Sequence, residues 1–337
     1  MNARFEEMRK LLDENRYFKL VCGAGNENAE EVRKLAVVYT LAGANGFDVS
    51  AKPHIVQSCV SGINTAYEWS KKLNIEIPNR PFITVSVGMP GDHHVRKAYI
   101  IDTCIKCDKC IPVCPTDAIP LNLVIIRDLC IGCGACEEAC PKKIDAIRYE
   151  HDDKSLKKIL PECLEAGAEN IELHAAVPSN DQIIEEWKTV NEIQPNNFIS
   201  MCLDRAYLST HSLTQRIKEA LSIAKDRTII QADGVPMSGG KDDFNTTLQA
   251  IATTDIIRKN FKSLKILVSG GTNNQTSKLA RMCGVRYNGI SVGTHARKIV
   301  NEFLIKPDFD TNAENIRSAV EIGKELVHEG FYESVKA

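Results

Sequence analysis

Eight of the thirteen cysteines lie between residues 104 and 140, and their spacing is that of iron–sulfur ligands. They form two runs of identical spacing, C-x2-C-x2-C-x3-C-P: Cys104, Cys107, Cys110 and Cys114 before Pro115, and Cys130, Cys133, Cys136 and Cys140 before Pro141. Three thiolates on one tight loop can bind three irons of a cubane, so the fourth iron needs a ligand from another part of the chain.

The doubled run has the spacing of bacterial ferredoxins, in which the fourth cysteine of each run binds the other cluster. The sequence therefore predicts two [4Fe-4S] clusters with crossed ligation. The predicted ligands are Cys104, Cys107, Cys110 and Cys140 for one cluster, and Cys130, Cys133, Cys136 and Cys114 for the other. Zinc knuckles and structural disulfides are the alternatives, but zinc sites mostly use cysteine pairs separated by a spacer. This chemistry indicates a protein that transfers or senses electrons.

The composition indicates a globular protein with one large domain and a smaller one. The chain has 337 residues, of which 43% are hydrophobic, and a formal net charge of −2. This nearly neutral net charge does not indicate a basic surface for binding nucleic acid. No apolar run approaches the ~20 residues of a membrane span. The charged N-terminal segment lacks the apolar core of a signal peptide. Free thiols and oxygen-sensitive clusters belong in a reducing compartment, so we expect a cytoplasmic protein.

Outside the cysteine-rich segment, short β-branched runs alternate with amphipathic helical windows, which is typical of repeated βα units. The predicted strands are residues 18–22, 46–50, 82–87, 170–174, 198–202, 228–231, 265–269 and 289–292. The predicted helices are residues 29–41, 55–73, 156–166, 181–193, 212–226, 244–261, 275–283 and 313–328. Eight such units predict an α/β fold of the TIM-barrel type, (β/α)8. A doubly wound open sheet is the alternative.

The cysteine-rich segment is predicted to be a module inserted after strand 3. Residues 1–97 and 151–337 would form the two parts of the barrel, and residues 98–150 a ferredoxin-like 2[4Fe-4S] module. An insertion in a βα loop lies at the carboxyl face of the barrel, where barrel enzymes have their active sites. Two functions follow: electron transfer or redox sensing with a partner protein or small ligand, or a flavin-dependent reductase supplied by its own clusters.

Glycine-rich loops follow the last two predicted strands. Their candidate ligand-binding residues are Gly270, Gly271, Thr272, Asn273, Gly293, Thr294 and Arg297. Barrels often bind phosphate here, because backbone N–H groups and a helix N-terminus converge on the anion. The loops therefore predict a phosphate-bearing ligand, with FMN as the first candidate. The alternative is that the glycines only form tight turns.

Three further side chains are candidate catalytic groups. Asp233 and Lys241 flank the glycine-rich stretch after strand 6, and His174 ends strand 4. Asp233 could hold a ligand hydroxyl or transfer a proton, and Lys241 could pair with an anion or a flavin ring. A capping carboxylate, a solvated lysine and a structural histidine are the alternatives. The five cysteines without ligand spacing are predicted to be core residues: Cys22, Cys59, Cys163, Cys202 and Cys283.

The chain resembles the light-dependent period (LdpA) family of cyanobacterial iron–sulfur proteins along its whole length. The most distinctive matching segments are QADGVPMSG at 231–239, GGTN at 270–273 and VGTHAR at 292–297. The first cysteine run is more regular here than expected for cyanobacterial members. The resemblance implies two [4Fe-4S] clusters on a barrel and a link to redox input into a circadian clock.

Overall fold

Eight parallel strands close into a barrel, and a separate two-stranded sheet carries the cysteine-rich segment. The computed structural model describes residues 3–23, 25–88, 96–151, 155–177, 179–235 and 243–332. The strands are β1 (Tyr17–Gly23), β2 (Gly46–Ser50), β3 (Phe82–Gly88), β4 (Arg96–Ile100), β5 (Ile147–His151), β6 (Asn170–His174), β7 (Ile199–Leu203), β8 (Thr228–Asp233), β9 (Lys265–Ser269) and β10 (Gly289–Val292). The candidate Lys241 lies outside the described residues.

Most helices follow the barrel strands, whereas α1 precedes the first strand and α4 lies within the cysteine-rich segment. They are α1 (Ala3–Asp13), α2 (Ala29–Leu41), α3 (Pro53–Leu73), α4 (Ala135–Ala139), α5 (Leu156–Glu165), α6 (Asn180–Ile193), α7 (Thr210–Ala224), α8 (Asp243–Asn260), α9 (Thr276–Met282), α10 (Thr294–Leu304) and α11 (Ala313–Gly330). Within the ranges described, no helix combines the length and apolarity needed to cross a bilayer.

The pairing of β1 with β10 decides the fold class. Tyr17 pairs with Gly289 and Leu20 with Val292, which closes the strand order β1-β10-β9-β8-β7-β6-β3-β2. The predicted (β/α)8 barrel is therefore confirmed, and the open sheet is wrong. Five of these elements were not predicted: the N-terminal helix α1, the strands β4 and β5 that frame the module, the short helix α4 within the module, and α10, which follows β10 before the expected C-terminal helix.

The barrel strands alternate between apolar residues that face the helices and polar residues that face the interior. In β6, Ile171 and Leu173 belong to the main core, whereas Glu172 and His174 are buried polar residues. The strands β1, β2, β3, β7, β8 and β10 repeat this alternation. The barrel interior is therefore unusually polar, since TIM-barrel interiors are mostly filled by branched aliphatic residues.

Helix α1 covers the amino-terminal end of the barrel. Its buried side chains, Phe5, Met8 and Leu12, form a small core with residues at the start of the strands. Phe5 stacks on Phe198 with a distance of 4.4 Å between ring centroids. This helix covers the amino-terminal end, so the polar interior faces the opposite end, where the strands finish.

Helices α2 and α3 pack closely at Gly62, which gives a stability prediction. A Cβ at Gly62 would lie 2.2 Å from the backbone oxygen of Arg33 and 2.7 Å from the Cβ of Ala36. Gly62→Ala should therefore destabilise the protein by about 1–3 kcal/mol through overpacking, which outweighs the ~1 kcal/mol that alanine gains in a helix. Thermal unfolding followed by circular dichroism measures the difference.

The matched control for this variant is Ser61→Ala, one residue away on the exposed side of the same helix. Alanine at this position meets no neighbouring helix and should leave the unfolding temperature nearly unchanged. Equal unfolding temperatures for the Gly62 and Ser61 variants would contradict the close packing of α2 on α3.

Candidate iron–sulfur centres and the barrel interior

The eight cysteines of the two runs line two separate cavities in the crossed arrangement. Cys104, Cys107, Cys110 and Cys140 line one cavity of about 340 Å³, and Cys114, Cys130, Cys133 and Cys136 line the other, of about 330 Å³, both including open solvent. The remaining walls are mostly apolar, with isoleucines, alanines and one leucine. Each cavity therefore presents four thiols, which is the donor set of a [4Fe-4S] cluster.

The backbone of the two runs has the same shape at equivalent positions. The residues before and after the second cysteine of each run have positive φ: Lys106 (53°) and Asp108 (56°) in the first run, Gly132 (68°) and Gly134 (87°) in the second. This left-handed conformation costs non-glycine residues about 1 kcal/mol or more each. The first run keeps the loop despite that cost, which indicates that the loop shape is required.

Backbone N–H groups point at the sulfur atoms of both cavities. Within the first cavity, the N–H of Lys106 lies 3.4 Å from Cys104 Sγ and that of Ala146 lies 3.4 Å from Cys140 Sγ. Such bonds stabilise the charge on bound thiolates and raise the potential of a cluster. The cysteines present therefore fit an iron–sulfur cluster in donor set and in hydrogen bonding.

The second cavity has an equivalent pair of bonds. The N–H of Ala98 lies 3.4 Å from Cys130 Sγ, and that of Ala118 lies 3.2 Å from Cys114 Sγ. Ala118 and Ala146 both stand in an Asp-Ala-Ile triplet that follows the fourth cysteine of a run, and the aspartate of each triplet has positive φ. The repeated triplet was the sequence signal for these donors, and our sequence analysis missed it.

Burial raises the pKa of three of these cysteine thiols, which favours their protonated form. Desolvation raises the pKa of Cys110 and Cys133, and it raises that of Cys136 to about 12, with the neighbouring cysteines adding to each shift. Iron binds the thiolate, so cluster assembly must release these protons.

The barrel interior holds a buried network of charged and polar side chains around Lys19. Its ammonium nitrogen Nζ lies 2.6 Å from Glu172 Oε2 and 3.3 Å from Asp48 Oδ2, and all three side chains are 2% exposed. Ser200 Oγ donates to the same Glu172 oxygen at 2.9 Å, and Ser86 donates to Asp48. The carboxylates raise the pKa of Lys19 against the opposing effect of burial, so the lysine stays charged.

Toward the carboxyl ends of the strands, the network continues with two of the predicted catalytic candidates. His174 Nε2 lies 3.7 Å from Glu172 Oε1. Asp233 is 1% exposed, and its Oδ2 accepts a short hydrogen bond from Cys202 Sγ. Desolvation raises the pKa of Asp233 to about 7. Cys202 thus faces the barrel interior and not the hydrophobic core between the strands and the helices. Cys283 is exposed, so the prediction that Cys283 is a core residue is wrong.

The glycine-rich loops after β9 and β10 lie at the same end of the barrel, and two of their predicted ligand side chains, those of Thr272 and Asn273, have partners within the protein. Cβ atoms at Gly270 and Gly271 would lie 2.8 Å from Gly234 N and 2.1 Å from Thr246 Cγ2, which explains both glycines by packing alone. The side chain of Thr272 donates to the backbone oxygen of Ser291.

Asn273 donates to Thr247 Oγ1 at 3.2 Å, so its side chain also has a partner within the protein. Helix α10 begins at Thr294, with Gly293 at its N-cap and Arg297 on its first turn. Arg297 differs from the other residues of these loops, because its buried Nε has no hydrogen-bond partner among the described residues.

Comparisons with known proteins identify the family. A model of the 4Fe-4S binding domain matches residues 98–119 and 123–144, and a model of the light dependent period A C-terminal domain matches residues 163–329. The light dependent period A protein of Synechococcus elongatus is 31% identical over 305 residues, which are 88% of this chain and 84% of that protein. The chain belongs to the light dependent period A family.

This light dependent period A family member is thus an iron–sulfur protein with a TIM-like barrel. Among solved structures it resembles an aldolase named QR15, with a TM-score of 0.48 and 11% identity over 92% of this chain and 98% of that one. It also resembles the YdjI aldolase of Escherichia coli K12, with a TM-score of 0.48 and 10% identity over 96% of both chains. At these values, neither likeness says anything about activity.

In this family member, Lys97 contacts both the cysteine-rich module and the barrel. Its Nζ donates to the backbone oxygen of Cys130 at 2.8 Å and to that of Gly25, which lies in the loop after β1. Glu27 of the same loop lies 3.4 Å from Nζ, and its own N–H donates to the backbone oxygen of Asp128 at 3.0 Å. The second cysteine run is therefore held against the carboxyl end of the barrel.

Proposed function

We propose that this protein carries two [4Fe-4S] clusters and uses them to transfer electrons or to sense redox state. The observation that carries this proposal is the grouping of the cysteines into two cavities with four thiols each. Bound there, each cluster would supply one-electron chemistry. The protein's own residues would supply the thiolate ligands and the N–H donors that tune them.

The cavities support the crossed ligand assignment. The first-run cluster, held by the first three cysteines of the first run, would take Cys140 as its fourth ligand. The second-run cluster, held by the first three cysteines of the second run, would take Cys114. The proposed domains are residues 98–150 for the module and residues 1–97 with 151–337 for the barrel; β4 and β5 frame the module.

The two clusters differ in exposure, which gives the proposed electron path a direction. The first run is open to solvent, since Cys107 is exposed and Ile105 of the same run is 59% exposed, and Leu121 and Val124 in the segment between the two runs are 86% and 66% exposed. The second run lies against the barrel through Lys97. We therefore expect a cytoplasmic redox partner to exchange electrons with the first-run cluster, and the second-run cluster to face the barrel.

A flavin-dependent reductase is the second candidate function. Arg297 favours it, because a buried guanidinium nitrogen without a hydrogen-bond partner among the described residues lies on the first turn of α10. A helix N-terminus and an arginine together suit a phosphate group. Asp233 and His174 would then lie toward the ligand as candidate proton-transfer groups, while Lys241 stays a prediction from the sequence.

One preparation tests both functions. Protein purified without oxygen should contain about eight iron and eight sulfide ions per chain, because each cluster contributes four of both. A preparation with about four iron ions, or with zinc in place of iron, would contradict the two-cluster proposal. The same sample, once denatured, should release a flavin if the reductase reading is right. A preparation with two clusters and no flavin would exclude the reductase and would support electron transfer or redox sensing.

A further inference from the structure

A second potential metal site lies inside the barrel, away from the cluster cysteines. Glu172, His174 and Cys202 are all buried, and one ligand atom from each lies within 4.8 Å of the others. Glu172 and His174 stand two residues apart on β6, so both side chains face the interior. Cys202 is the direct neighbour of His174 in the pairing of β6 with β7.

The spacing of these atoms suits coordination better than hydrogen bonding. His174 Nε2 and Glu172 Oε1 are 3.7 Å apart, which exceeds hydrogen-bond length. Nitrogen and oxygen ligands on one tetrahedral zinc ion stand about 3.4 Å apart, given bond lengths near 2.1 Å. Histidine, cysteine and glutamate together are the ligand types of zinc and related divalent ions.

Asp233 on β8 adds an independent observation. Its Oδ2 contacts Cys202 Sγ, and its Oδ1 is buried without a hydrogen-bond partner in the described part of the chain. A buried carboxylate oxygen without a partner is costly. A cation held by Glu172, His174 and Cys202 would lie near this carboxylate and would offset its negative charge.

The charge balance of the interior points the same way. Asp48, Glu172 and Asp233 are buried in the barrel interior, and Lys19 is the lysine that lies among them. A surplus of buried negative charge is unfavourable unless a cation compensates it. Because Lys19 already pairs with two of the carboxylates, a divalent ion near Asp233 would offset the remaining charge.

We propose that Glu172, His174 and Cys202 bind one zinc-like divalent cation in the barrel interior, with Asp233 beside Cys202. The site is separate from the clusters, and it does not rest on the proposed redox function. Lys19 and Ser200 both bind Glu172 Oε2, so they orient the carboxylate and leave Oε1 directed at His174. Such outer contacts normally position metal ligands.

The test uses the full chain with its clusters assembled and Zn²⁺ alone as the probe. After equilibration with Zn²⁺ and removal of the excess, about one zinc per chain should remain beside the iron. X-ray absorption at the zinc edge reports only zinc, so the iron clusters do not interfere. It should show one sulfur neighbour near 2.3 Å together with nitrogen or oxygen neighbours near 2.0–2.2 Å.

Two substitutions should separate ligands from their supports. Cys202→Ser should remove the sulfur neighbour and lower zinc affinity more than about 100-fold, whereas Ser200→Ala should lower it about 10- to 100-fold, the range for outer contacts. The matched control is Cys283→Ser, which removes an exposed thiol and should change nothing. Iron content checks that each variant is folded.

Three results would overturn the site. They are a parent protein that retains no zinc, a bound zinc without a sulfur neighbour, and zinc affinity that Cys202→Ser leaves unchanged. If the Cys202 variant does not fold, the sulfur neighbour in the parent and the affinity of the Ser200 variant decide the question.

Discussion

Cys140→Ala is expected to abolish the first-run cluster and to leave the second-run cluster in place. Cys140 belongs to the second run in sequence, but it lines the cavity of Cys104, Cys107 and Cys110. A [4Fe-4S] cluster that loses one of its four thiolates loses the ligand of one iron. Iron content should therefore fall from about eight to about four per chain, with half of the cluster signal retained in the reduced protein.

Paired substitutions make this test decisive. Adding Cys104→Ala to Cys140→Ala should remove no further iron, because both residues would serve the same cluster. Adding Cys130→Ala instead should reduce the iron content to nearly zero. The opposite pattern, with Cys140 and Cys130 acting as one site, would show that each run holds its own cluster and that the crossed assignment is wrong.

Lys19→Met is expected to cause the largest loss of stability in the barrel. The substitution leaves Asp48 and Glu172 buried without their ammonium partner, while methionine fills a similar volume. Removing one partner of a buried ion pair typically costs 3–5 kcal/mol, because the remaining charge stays desolvated. The temperature of unfolding, measured by circular dichroism on protein with matched iron content, should fall by several degrees.

Lys188→Met is the matched control for this prediction. Lys188 pairs with Glu185 at 2.6 Å, the same distance that separates Lys19 from Glu172, but on the surface. Surface pairs contribute little, so this variant should unfold close to the parent. Adding Asp48→Asn to Lys19→Met should recover part of the loss. Equal effects of the two lysine variants would show that the buried network does not depend on its lysine.

Much of the barrel could be predicted from the sequence because each strand is short, β-branched and bounded by turns. The strands Gly46–Ser50, Asn170–His174, Lys265–Ser269 and Gly289–Val292 have the bounds expected from the pattern. Helix α1 was missed because it precedes the first βα unit, and α10 because it starts directly after β10 without a linker. The strands β4 and β5 pair across the inserted module, and so no local pattern marks them.

The candidate site could be predicted only where its residues are close in sequence. The spacing of the cysteine runs is enough to predict iron–sulfur ligands. The alternation of apolar and polar residues from Ile171 to His174 predicts that Glu172 and His174 share one face of the strand, which is the barrel interior. The contacts of Glu172 with Lys19 and Cys202 depend on which strands pair and on how the barrel closes. The register of the strands sets these contacts, and residues close to Glu172 in sequence do not reveal that register.

The contacts of Lys97 have a thermodynamic consequence for the module. This lysine donates to the backbone beside Cys130 and also to the loop after β1, so cluster ligation and docking of the module share one anchor. Two events that share an anchor are linked, and each strengthens the other by the same factor. Iron bound at the second run would tighten the module on the barrel, and loss of that iron would loosen it. Iron binding in the module would thereby affect how firmly the module is held on the barrel.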